Sequence, residues 1–122
     1  MPLSPRTATR LLRVTFWIAL AVAFTAAVVP AEESPEVLPW DKAQHFLAFY
    51  VLAFLAAAAY PRRSLLGIGA VLSAFGALIE FVQMIPALHR DAELLDWVAD
   101  TVAIAAALLP AALIAIRRRL AG

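Results

Sequence analysis

The chain has 122 residues, no cysteine, 64% hydrophobic residues and only 16% charged ones, with a mean hydropathy of +0.85. Ordinary soluble domains carry about a quarter charged residues, so this composition excludes one and points to a membrane protein. Without cysteine there is neither a disulfide framework nor a thiolate metal site, and a net charge of +1 gives little support to nucleic acid binding.

Charges fall in clumps between apolar runs, and roughly 20 helical residues cover the ~30 Å of a bilayer core. Four such runs are expected as transmembrane helices, at about 11–29, 42–60, 64–85 and 94–116. The first, "LLRVTFWIALAVAFTAAVV", is uncharged after Arg13 and stops at Pro30. Its basic start and the "VPA" before "EES" also resemble a cleavable secretory signal. A mostly apolar run of ~19 residues suits a span better than a signal core, and a span is the expectation.

The second run opens with Asp41, Lys42 and His45 and closes at "YPRR". The third, Ser64 to Ile85, contains Glu80, and its Gly67, Gly69, Ser73, Gly76 and Ala77 permit close helix approach. The fourth opens with Asp96 and Asp100, and contains Pro110, which removes a helix donor. Simple tolerance of that proline among packed helices is the expectation. Together the runs predict a single all-α domain, an integral membrane bundle of four helices, because backbone groups in lipid must be paired internally.

Loop charge orients the bundle. Arg6, Arg10, Arg13, Arg62, Arg63 and Arg117 to Arg119 share one side, while Glu32, Glu33, Glu36, Asp41, Asp91, Glu93 and Asp96 share the other. By the positive-inside rule both termini are cytoplasmic and the acidic end faces outward. On that side the only cations are Lys42 and Arg90.

The polar residues of the outer end have helical spacing. Asp41 and His45 are four apart, Glu80 and Gln83 three, and Asp96 and Asp100 four, so each pair shares one helix face. Charges in a span cost of order 2.5 to 3.5 kcal/mol at the helix centre, so they normally turn inward and find partners. Lys42 and Arg90 are the partners at hand. Among the aromatics, Trp40, Phe46, Phe49 and Trp97 are expected at interface depth, where amphipathic rings anchor.

"DKAQHFLAFYVLAFL" followed by "GALIEFVQMIPALHRDAELLDWVADTVA" resembles the VanZ-like family of small bacterial membrane proteins. The family pattern is D-K-x-x-H-F, then E-x-x-Q, a loop arginine, and D-x-x-x-N opening the last helix. Asp41, Lys42, His45 and Phe46 match the first motif, Glu80 and Gln83 the second, Arg90 the loop arginine and Asp96 the last. Asp100 stands where the family usually has asparagine, and Ala103 where a glycine commonly follows. The resemblance implies an inner-membrane, multi-pass protein of a family named for low-level resistance to a glycopeptide antibiotic.

Three functions compete. The favoured one is a binding or accessory protein for a lipid or lipid-linked envelope precursor, with Lys42, Gln83, Arg90, Asp96 and Asp100 holding the headgroup. In an acid/base enzyme on such a substrate, His45, Glu80 and Asp41 carry the proton transfers. A proton-coupled carrier would use Glu80, Asp100 and His45 as a relay. Asp41, His45, Glu80 and Asp96 also form a donor set for a divalent ion, although no compact motif such as HExxH is present, and neither metal nor other cofactor is expected. Expected partners are membrane lipids and no nucleic acid; oligomeric state is left open.

Overall fold

A computed structural model describes residues 2–33 and 41–122, apart from the side chains of Ala31 and Asp41. Among the described residues there are four α-helices, α1 (Pro5–Val28), α2 (Asp41–Ala59), α3 (Leu65–Gln83) and α4 (Leu94–Ala121), and no strand. All four are long and apolar enough to cross a membrane, as multi-pass architecture requires. Glu36 and Trp40, with the Asp41 side chain, lie outside the described residues.

Two helices extend beyond the apolar runs that announce them. α1 begins six residues before Leu11, because Ser4 caps its start by accepting the Thr7 N–H at 3.2 Å and Pro5 suits the first turn. α4 continues through Arg117 to Arg119 to Ala121. Arginine is a good helix former, so leaving the apolar run does not end the helix. At ~1.5 Å per residue α4 spans about 42 Å, against about 28 Å for α2 and α3. Pro110 sits inside α4 without breaking it.

α3 stops two residues earlier than its apolar run. Pro86 follows, and Ile85 before it adopts extended backbone at ψ 119°, as a residue preceding proline is pushed to do. A short 3₁₀ turn, Pro86–Leu88, then leads to His89 in the left-handed region at φ 50°.

The buried positions repeat with helical period. Phe49, Leu52, Ala53 and Ala56 form the inner stripe of α2; Leu72, Gly76, Ile79 and Gln83 that of α3; and Asp96, Asp100, Ala103, Ile104 and Leu108 that of α4. α2 and α4 have the most extensive contact, and α1, with only Phe16 buried, packs on α2 and α3 from outside. Phe54, Leu66, Val71, Phe81, Val102 and Leu109 point outward, the apolar exterior a lipid-embedded bundle needs. Phe49 is 2% exposed and its ring lies 6.0 Å from that of Phe75. It is therefore a core residue and not an interface anchor.

Cross-helix contacts establish the up-and-down order. The end of α1 meets the end of α3 through Gln83 Nε2, which donates to the Ala27 carbonyl at 3.0 Å. The start of α1 meets the end of α2, where Arg13 Nε donates to the Ala59 carbonyl at 3.0 Å and its guanidinium lies 4.6 Å above the Tyr60 ring. Trp17 Nε1 donates to the Tyr60 hydroxyl at 2.8 Å nearby. Thus the starts of α2 and α4 and the ends of α1 and α3 share one end of the bundle, and the arginine-rich segments share the other.

Candidate functional site: an ionisable cluster at one end of the bundle

Three helices each bring polar groups to the acidic end. The α2 stripe that carries Phe49 and Leu52 continues one turn back to His45, and that of α3 carries Gly76, Glu80 and Gln83. α4 opens with Asp96 and Asp100 on the face that continues into Ala103 and Ile104. Each group faces inward because it lies in register with the apolar residues that hold its helix against the others.

His45 and Asp100 form the centre. His45 Nδ1 lies 3.0 Å from Asp100 Oδ1, and Asp100 is completely buried. On the other side of the ring, Nε2 is 4.0 Å from Oδ2 of Asp96, itself 2% exposed. Lys42, one turn nearer the start of α2, bonds Glu93 Oε2 at 2.8 Å and lies 3.5 Å from Asp96 Oδ1. Glu80 accepts the backbone N–H of Glu93, the N-cap of α4, at 3.0 Å through Oε2. Glu80 and Asp96 thus sit where the first-turn amides of α4 leave a partial positive charge.

Small residues make the approach possible. A Cβ on Gly76 would come within 2.9 Å of Asp100 Oδ2 and 3.4 Å of the Phe49 ring. One turn deeper, Trp97 Nε1 donates to the Ser73 carbonyl at 3.0 Å, and the Ser73 and Thr101 hydroxyls lie 3.0 Å apart. Trp97 therefore ties α4 to α3. Below this layer the interior is aliphatic, with Leu52, Leu72, Ile104 and Leu108.

Two residues expected in the site are engaged elsewhere. Arg90 donates from Nη2 to the carbonyls of Ala26 at 2.7 Å and Val29 at 3.0 Å, and from Nε to Val29 at 3.1 Å. Its guanidinium thus closes the end of α1, whose last carbonyls lack helical partners, and its charge suits the negative end of the helix dipole. Gln83 bonds α1 rather than the acids. Glu93, outside the site residues expected from the sequence, holds Lys42; its place just before the first apolar residue of α4 is the signal that points to it. Outside the bundle, His89 Nδ1 meets Glu32 Oε1 at 2.7 Å, tying the α3–α4 loop to the segment after α1. A hydrogen bond from its own backbone, and then the one from His89, hold the Glu32 carboxyl below its ordinary value of 4.5.

At the opposite end is an open cleft of about 660 Å³, lined by Thr9, Arg13, Tyr60, Pro61, Arg62 and Arg63.

Fold and site together define a multi-pass helical membrane protein with a part-buried acid and imidazole cluster between three of its helices. Comparisons with protein-family models, with curated proteins and with solved structures found no match for this chain.

Proposed function

We propose that this chain is a VanZ-like protein of the bacterial inner membrane, and that it binds the polar headgroup of a lipid or lipid-linked envelope precursor. In this reading the arginine-rich end is cytoplasmic, both termini with it, and the cluster opens on the extracytoplasmic side. The protein acts as an accessory of cell-envelope or antibiotic-response processes. What carries the reading is the meeting of His45, Glu80, Asp96 and Asp100, from three helices, at one end of an otherwise apolar bundle. Polar groups this expensive to insert normally serve function.

The geometry narrows how a headgroup is held. Arg90 is committed to α1, so recognition of a phosphate falls to Lys42. The Lys42 side chain is 28% exposed and its partner Glu93 49%, and exposed ion pairs are weak because solvent screens them. An arriving phosphate can therefore displace Glu93 from the ammonium. The carboxylates accept hydrogen bonds from headgroup hydroxyls or amines.

A second reading, an acid/base enzyme on the same substrate class, is favoured by one observation. A buried carboxylate 3.0 Å from an imidazole nitrogen is the arrangement that orients a general base. A proton relay has less support, because the aliphatic layer of Leu52, Leu72, Ile104 and Leu108 separates the cluster from the basic end.

Lipids extracted from the purified protein and measured by mass spectrometry test both readings. Binding predicts one lipid enriched over bulk membrane and lost in Lys42→Ala; catalysis predicts added precursor converted in a manner dependent on His45 and Glu80. A lipid profile equal to bulk membrane, with no conversion, would reject both.

A further inference from the structure

We infer that His45, Glu80 and Asp100 bind a divalent transition-metal ion, of the Mn²⁺ or Zn²⁺ class, between α2, α3 and α4. Each of the three residues offers one ligand atom, and these atoms lie within 4.8 Å of one another. Oxygen and nitrogen ligands bind Zn²⁺ at about 2.0–2.2 Å, which places ligand atoms roughly 3–4 Å apart around the ion. Closing the remaining gap takes a small rotation of Glu80, the longest of the three side chains and only half-buried.

A second observation is independent of that spacing. Glu80 Oε1 is fully enclosed and has no hydrogen-bond partner among the described residues, while its other oxygen is held by the Glu93 amide. A buried carboxylate oxygen left in that way is costly, and a metal ion is the kind of partner that removes the cost. The charge balance points the same way. Glu80, Asp96 and Asp100 bring three carboxylates to the cluster, facing the His45 ring and the Lys42 ammonium, which Glu93 also claims.

The donor set narrows the ion. Carboxylate oxygens with one imidazole suit Mn²⁺ and Zn²⁺ better than thiophilic ions. Asp96 Oδ2, 4.0 Å from His45 Nε2, lies outside the ligand set on the other side of the ring, where a second carboxylate commonly stands near a metal-bound histidine. Three protein ligands leave positions for water or a headgroup phosphate oxygen. That last use rests on the headgroup reading; binding of the ion does not.

The full chain, purified in detergent with EDTA and then freed of chelator, is titrated with Mn²⁺, reading the free ion by electron paramagnetic resonance, and with Zn²⁺ against a chromogenic chelator. One equivalent per chain is expected, with a rise in melting temperature. Glu80→Gln should weaken binding by more than about 10-fold, the lower bound for removing even an outer-shell partner, and abolish the rise. Glu93→Gln should retain binding. If Glu80→Gln gives no melting transition, His45→Gln replaces it in the same titration. Absence of stoichiometric binding of both ions, or affinity unchanged in the folded variant, overturns the inference. Lipid extraction is read separately, so loss of the headgroup reading leaves this result intact, and the reverse.

Discussion

His45 of α2 and Asp100 of α4 meet at 3.0 Å, with the carboxylate wholly buried, so the two most extensively packed helices are joined at their polar ends by this pair. Asp100→Ala leaves the part-buried imidazole nitrogen without that partner, and a loss of ~1–3 kcal/mol is expected. Asp100→Asn retains an acceptor oxygen and should lose less. Thermal unfolding in detergent, followed by circular dichroism, compares the two; equal losses would mean that a neutral acceptor of the same size beside His45 contributes nothing.

Arg90 is expected to behave as a structural cap. Its three hydrogen bonds to the carbonyls of Ala26 and Val29 are of the charged kind, so Arg90→Ala should destabilise the protein by roughly 1.5–3 kcal/mol. Arg90→Lys should recover only part of this, since an ammonium cannot span the two carbonyls as the guanidinium fork does. Enrichment of a co-purified lipid should persist in folded Arg90→Lys. A variant that keeps full stability but loses the lipid would restore Arg90 to the headgroup site.

Gly76 and Gly69 should respond in opposite ways to alanine. At Gly76 the new Cβ would lie 2.9 Å from Asp100 Oδ2, an oxygen of a side chain already bonded to His45, and overpacking of this kind costs ~1–3 kcal/mol. At Gly69 the nearest atoms, on Leu108 and Ile104, are 3.5 and 3.6 Å away, which is ordinary contact. Gly69→Ala should therefore be neutral or gain up to ~1 kcal/mol from helix propensity. Paired melting curves decide it.

Acid should loosen the loops at the acidic end of the bundle through Glu32. Its carboxyl titrates below the ordinary 4.5, so its stabilising contribution is complete above that value and is lost as pH falls through the lower folded value. His89 and Glu32 are both about two-thirds exposed, which keeps the effect small. In Glu32→Gln the melting temperature should fall less steeply on acidification below pH 4.5. An unchanged pH profile would show that the contact carries no stability.

Much of the cluster is legible in the residue order because two signals coincide there. The spacing of Asp96 and Asp100, and the place of Glu80 near the end of its apolar run, put these acids at turns that enter or leave the bilayer. Loop charge then assigns those turns to one end. Gln83 shares the spacing signal with Glu80, but nothing in the residue order shows which partner it or Arg90 takes. Each is long and polar, and near each lie acids and helix-end carbonyls alike; α1, remote in sequence, supplies the carbonyls that hold both.

The four apolar helices and their alternation follow from the sequence by itself, because hydropathy and backbone pairing act along the chain. So does the inward stripe of each helix, since burial repeats with the helical period. Only the tertiary structure decided which partners the polar groups take. His45 found Asp100, Lys42 found Glu93, and Arg90 found the end of α1, because those choices depend on how closely α3 and α4 approach at Gly76 and on where α1 ends. Such distances arise from packing between segments far apart in the chain.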